Sequence, residues 1–232
     1  MKDAAAQIFR DNWSIYQEII ASNYMYHLEI GNYIDQLLRT HKTSGRVLDL
    51  GCGDARQLAS RLAKHPVQSY TGIDLSGAAL ALAAGNLTGA AASVELQEGP
   101  MEVLMKSAAG PFDLIHSSYA VHHLQDEEKK TLLADCRQQL TPGGALLLID
   151  VYRETGQPRE AYIEAYTRCI STSWHSLSAE AAESVCTHVR DYDFPASITE
   201  MMDWAAEAGF RVTEFPLPDR WHRFLLLEKS SV

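Results

Sequence analysis

The sequence predicts an α/β fold built on a doubly wound, mostly parallel sheet of seven strands. Three observations predict it. Between residues 46 and 150, short apolar runs alternate with helical stretches, as expected of strands buried on both faces and joined by crossover helices. A glycine pair, Gly51 and Gly53, stands where the first run gives way to a helix. Two further runs end the chain, 210–215 and 221–228, separated by a proline-containing turn, and read as a hairpin.

The elements follow in order. Residues 1–40 look mainly helical, with Phe9, Trp13, Tyr16, Ile20 and Tyr24 at steps that form one apolar-aromatic stripe. The first strand is expected at 46–50. A helix over 54–64 turns Leu58, Ala59 and Leu62 inward and stops at Lys64-His65-Pro66. A strand over 69–74 leads to a helix over 77–84 capped by Ser76. A short third strand covers 94–96 and a fourth 112–116. The helix over 127–140 follows Asp126, and Thr141-Pro-Gly-Gly144 then turns the chain into a fifth strand at 145–150. Residues 152–196 look mainly helical again. Ser197 and Glu200 form a capping box opening a helix that ends at Gly209. The expected organisation is an N-terminal helical cap (1–40), a core (41–151 and 197–232) and a helical insertion (152–196) that also covers the substrate.

The 232 residues are 46% apolar and 22% charged, which suits a globular chain with a sizeable core. A net charge of −10 with no basic block argues against binding nucleic acid or an anionic membrane. Residues 75–94 carry no charge but are broken by Gly77, Gly85, Asn86 and Gly89, a poor membrane span. Cys52, Cys136, Cys169 and Cys186 show no CxxC spacing, and the first residues lack the apolar core of a signal peptide. A cytoplasmic chain with free thiols is expected. Oligomeric state is left open.

The stretch from Val47 to Arg56 carries the most chemistry. Gly51 and Gly53 let the backbone approach a ligand at a helix N-terminus. Asp74, at the end of the second strand, is placed to accept both ribose hydroxyls of a nucleotide. A dinucleotide fingerprint would need a third glycine at 56, where Arg56 stands.

The chain here resembles the class I S-adenosylmethionine-dependent methyltransferases, in the ordered motifs VLDLGCGDA, GIDLS, FDLIHSSYAVHHL and LTPGGALLLID and in the terminal hairpin. The resemblance implies a Rossmann-like sheet whose last strand runs antiparallel. It implies S-adenosylmethionine as cofactor and S-adenosylhomocysteine as product. The loop Gly51-Cys52-Gly53 would pass under the methionine and ribose, with Asp49 near the amino end. Asp74 would bind the ribose and Leu75 the adenine. Gly99, Pro100, Met101 and Glu102 would close over the adenine, with Pro100 where many members carry an Asp. His116 and Ser117 would line the methyl-donor end.

Catalytic residues vary in this superfamily, because the chemistry mainly needs a nucleophile held in line with the donor. The local candidates are Tyr119, His122 and His123, where a histidine could accept a proton near neutrality. No acidic or cysteine partner stands at a ligand spacing from the histidine pair, so no metal is expected. Tyr16, Tyr24 and His27 from the first segment, and Tyr152 and Arg153 after the fifth strand, are candidate acceptor-binding residues, Arg153 as partner for a carboxylate. The expected function is methyl transfer to an O, N or C nucleophile of a small molecule. The alternatives are a nicotinamide-dependent oxidoreductase, disfavoured by Arg56 and the hairpin, and a non-catalytic partner subunit with the same fold.

Overall fold

The computed structural model describes residues 13–40 and 45–229. Phe9 lies outside the described residues, as does the side chain of Trp13. Two helices come first, α1 (Trp13–Ala21) and α2 (His27–Thr40). The core then runs β1 (Arg46–Leu50), α3 (Arg56–Leu62), β2 (Val67–Asp74), α4 (Gly77–Asn86), β3 (Ala91–Glu98), α5 (Met101–Leu104), β4 (Phe112–Ser118), α6 (Asp126–Gln139) and β5 (Leu140–Val151). The insertion supplies α7 (Arg159–Ser173) and α8 (Ala179–Tyr192), and the chain closes with α9 (Ile198–Glu207), β6 (Phe210–Phe215) and β7 (His222–Lys229).

The seven strands are ordered β3-β2-β1-β4-β5-β7-β6. β1 to β5 are parallel, and β7 pairs antiparallel with both β5 and β6. The strand order reverses between β1 and β4. At such a switch point the connections leave to opposite faces and open a crevice at the carboxyl ends.

Alternate strand residues build two separate cores. Leu48, Leu50, Ile115, Leu146 and Leu148 pack on one face with Leu132 and Leu133 of α6 and Met201 of α9. Val47, Leu114, Leu147 and Ile149 pack on the other with Ile30 and Ile34 of α2 and Leu58 and Leu62 of α3. A third cluster joins Ile19 of α1 to Tyr162, Tyr166, Ile170 and Trp174 of the insertion and to Trp221. Burial of apolar surface, at about 25 cal/mol per Å², therefore ties α1 to the helices after β5 as well as to the sheet.

Boundaries differ from expectation for physical reasons. β3 is an edge strand and reaches over Ala91–Glu98, with polar residues among its exposed positions where no apolar run marks it. Thr141–Gly144 does not form a turn outside the sheet. It is drawn into β5 as an irregularity, between the pairs Phe112↔Leu140 and Leu114↔Ala145. The helix before it starts at Asp126, not after it. Its reciprocal cap comes from Gln125 and Glu128, with the Gln125 N–H donating to Glu128 Oε2 at 2.8 Å. The Ser197–Glu200 capping box is present.

Candidate functional site

The crevice holds a cavity of about 600 Å³, within the range of roughly 300–1,000 Å³ typical of small-molecule sites. Its floor is the turn from β1 into α3. The Gly51 and Cys52 N–H groups donate to the Ile73 carbonyl at 2.8 and 3.0 Å, which folds the turn back across β2. Gly51 has φ +67°, and a Cβ built there would meet Ala120 Cβ at 2.4 Å. Only glycine allows the two loops to approach this closely.

Asp74 ends β2 at the cavity wall. Its Oδ2 accepts the Gly53 N–H and its Oδ1 the Ser76 N–H, both at 2.8 Å. These bonds orient the carboxylate and leave further lone pairs for hydroxyl donors. Burial raises its pKa, against the pull of the Ser76 and Gly53 N–H groups. Leu75, Gly99, Met101 and Glu102 line the same end. Pro100 does not line the cavity; it opens α5 at φ −68°. A Cβ on Gly53 would meet nothing within 4 Å, so the loop borders open space. A glycine-rich floor and an oriented carboxylate at the cavity wall fit a ribose-bearing ligand.

Asp49 and His116 form a pair beneath the cavity. Asp49 Oδ1 lies 2.7 Å from His116 Nδ1, and Asp49 Oδ2 accepts the Tyr70 hydroxyl at 2.6 Å. Both residues line the cavity, yet Asp49 is only 2% exposed. Each of its oxygens has a protein partner, so Asp49 holds its neighbours in place. Cys52 also lines the cavity, but burial pushes its thiol far up and leaves it unreactive. Ser117 points away, donating to the Leu50 carbonyl at 2.9 Å.

The three residues after β4 separate. Tyr119 lines the cavity with φ +55°, while its hydroxyl donates to the Met25 carbonyl at 2.5 Å and ties the core to the N-terminal segment. Burial pushes that phenol well above its ordinary value, so it is no base. His122 lies behind the cavity wall. Its Nδ1 sits 2.5 Å from Asp150 Oδ1, and its N–H donates to Asp150 Oδ2 at 2.9 Å. Burial opposes its charge, but Asp150 and Asp193 outweigh burial and hold its pKa up at about 9. Its place behind the wall, bonded to Asp150, keeps it from the cavity and corrects the expectation of a catalytic His122. His123 does line the cavity. Burial, then His122 and His188, keep it well below its ordinary value and therefore neutral.

The expected acceptor-binding residues divide as well. Tyr16 and His27 line the cavity. Neither ring nitrogen of His27 has a hydrogen-bond partner, although both are buried. Tyr24 instead stacks on Trp174 at 5.0 Å, and its hydroxyl accepts the Ser176 N–H at 2.8 Å. Tyr152 is 1% exposed within the core. Arg153 is committed elsewhere: its guanidinium bonds the Pro195 carbonyl at 2.7 Å, the Gln157 carbonyl, and Glu200 at 3.1 Å. Neither Tyr152 nor Arg153 reaches the cavity, because the chain after β5 turns back along α9 through the Arg153↔Ser197 bridge.

Sequence reading missed the far wall. His188, Asp191, Tyr192 and Phe194 line it. The Phe194 N–H donates to the His122 carbonyl at 2.7 Å, and buried Lys129 donates to the Leu124 and Phe194 carbonyls at 2.6 and 2.5 Å. A lysine on an otherwise polar helix start gave no local sign of this role.

Comparison with known proteins finds methyltransferases. Residues 47–144 match a family described as a methyltransferase domain. A trans-aconitate 2-methyltransferase of Deinococcus radiodurans is 32% identical over 111 residues, 48% of this chain and 40% of that protein. An uncharacterised methyltransferase of Geobacillus kaustophilus is 34% identical over 147 residues, 62% of this chain and 64% of that protein. The chain thus aligns with less than two thirds of either relative. Magnesium protoporphyrin IX methyltransferase from Synechocystis, solved with bound S-adenosylhomocysteine, shares the fold at a TM-score of 0.66. It is 13% identical, over 99% of this chain and 98% of that one. Residues 47–144 are thus similar to a methyltransferase domain, and the chain around them has the Rossmann-like sheet order of the solved methyltransferase.

Proposed function

We propose that the protein transfers a methyl group from S-adenosylmethionine to an O, N or C nucleophile of a small-molecule acceptor. The observation that carries this reading is the cavity at the β1/β4 switch, which joins the Gly51–Gly53 turn and Asp74 to walls supplied by α1, α2 and α8. Gly51, Cys52, Gly53 and Asp74 would hold the methionine and ribose portion, and Leu75, Gly99, Met101 and Glu102 the adenine. When bound, the sulfonium supplies an electrophilic methyl group. The chain must exclude water and orient the acceptor.

The cap side is suited to that. Tyr16, Ile20, Leu28 and Phe194 present apolar surface. Burial, then His222, lowers the His27 pKa to about 4, so the imidazole is neutral at pH 7. Its unpartnered nitrogens can bond an acceptor hydroxyl or take its proton. His123 is a second neutral imidazole on the wall. The cavity's size and the chain's net charge of −10 favour a small acceptor over nucleic acid, and the named Deinococcus and Synechocystis proteins also act on small molecules. Four free cysteines support a cytoplasmic setting, and no described helix is long and apolar enough to cross a membrane.

Isothermal titration with S-adenosylhomocysteine tests the reading. Saturable binding is expected, weakened about tenfold to a hundredfold in Asp74→Ala, the scale of lost hydrogen bonds to a charged group. No saturable binding by the folded wild type refutes it.

A further inference from the structure

At the cavity wall, three imidazoles converge on one carboxylate oxygen. His122 Nε2 and His123 Nδ1 each lie 3.6 Å from Asp193 Oδ1, and His188 Nε2 lies 3.8 Å from it. His122, His123 and Asp193 offer ligand atoms all within 4.8 Å of one another. Asp193 Oδ1 is buried and has no hydrogen-bond partner, on a side chain that is 5% exposed. These separations are too long for hydrogen bonds. Four donors at bonds of about 2.0–2.1 Å around a tetrahedral ion stand about 3.4 Å apart, close to the 3.6–3.8 Å between each imidazole and Asp193 Oδ1.

We propose that His122, His123, His188 and Asp193 bind one divalent transition-metal ion of the zinc class. Three imidazoles and a carboxylate are the donors such ions take. The surroundings are those of a metal-bound histidine. Asp150 grips His122 through Nδ1 at 2.5 Å and leaves Nε2 toward Asp193, the carboxylate–histidine arrangement that fixes ring orientation at metal sites. His123 Nδ1 is 3.1 Å from the Tyr192 carbonyl. Coordination through Nδ1 requires the tautomer protonated at Nε2 and exchanges that contact for the ion. Burial, then neighbouring imidazoles, keeps His123 and His188 neutral, His188 with a pKa lowered to about 4, and the ion takes the place of the proton that Asp150 and Asp193 hold on His122.

The ligands come from two places in the chain. His122 and His123 follow β4; His188 sits on α8 and Asp193 just beyond it. A bound ion would therefore clamp the insertion onto the core beside the cavity. This explains how a pair of histidines with no acid at a ligand spacing acquires one: the insertion folds back and delivers it.

The test uses the full chain after treatment with chelator. Isothermal titration with Zn²⁺ is expected to show one equivalent bound, and Co²⁺ to give the visible absorption of a tetrahedral site. His188→Asn and Asp193→Asn should each weaken Zn²⁺ binding at least tenfold, whereas His175→Asn, at an exposed histidine outside the cluster, should not. Circular dichroism checks that each variant is folded. If Asp193→Asn fails to fold, His123→Asn and His188→Asn decide. Absence of saturable Zn²⁺ binding by the folded wild type overturns the proposal, and so does undiminished binding in His188→Asn.

Discussion

At the scale of single residues, the site is a set of buried polar groups in different states of satisfaction. Asp49 has a protein partner on each oxygen, Tyr70 and His116, whereas His27 has both nitrogens unpaired. That contrast separates scaffold from candidate contact, and the sequence shows neither, since an Asp or a His reads the same whether its partner is protein or ligand. His27 also carries a cost. It is held neutral in the folded state with a pKa of about 4, against 6.5 when unfolded. The unfolded chain therefore binds the proton first as pH falls. His27 makes no demand above about pH 7, and stability is lost between 6.5 and 4, by at most about 3 kcal/mol. Urea denaturation at pH 7 and pH 5 should show wild type losing more stability than His27→Gln. Equal losses would mean that the imidazole is protonated without penalty.

At the scale of elements, most of the core was legible and the cap was not. Strands at 46–50 and 210–215 have the expected bounds because continuous or alternating apolar residues between turn signals have one good solution, a sheet. β3 was truncated by reading because an edge strand can be polar, and Thr141–Gly144 because a bulge and a turn share the same residues. The glycine turn shows the opposite case, where one short motif determines an element junction. Gly51 combines φ +67° with a Cβ position 2.4 Å from Ala120. Gly51→Ala should incur left-handed strain of about 1–2 kcal/mol, plus whatever shift Ala120 needs. Chemical denaturation should register at least that loss, and S-adenosylhomocysteine affinity should fall with it. A variant as stable as wild type would show that the turn tolerates a side chain.

At the scale of the whole molecule, two segments separated by the entire parallel sheet close over one cavity, and a core of their own joins them. Ser22 bonds Ser176 at 2.8 Å, Tyr24 stacks on Trp174 at 5.0 Å, and Ile19 packs into the cluster around Tyr166 and Trp174. Aromatic spacing in the first segment was visible in sequence, but its partner lies about 150 residues away, a contact that no local pattern encodes. The two cores flanking the sheet have their own residues, distinct from this cluster. Damage to the cap cluster should therefore stay in the cap. Trp174 is 7% exposed, and Trp174→Ala should cost about 3–5 kcal/mol through lost burial and the cavity left behind. Because local opening needs only the weakest cooperative unit to yield, hydrogen exchange should accelerate over 13–21 and 159–192 first, while β1, β4 and β5 keep their protection. Affinity for the acceptor should suffer more than affinity for S-adenosylhomocysteine, whose proposed contacts lie on the sheet. Uniform acceleration across the sheet would instead make cap and core one cooperative unit, and cofactor binding would then fall in step with stability.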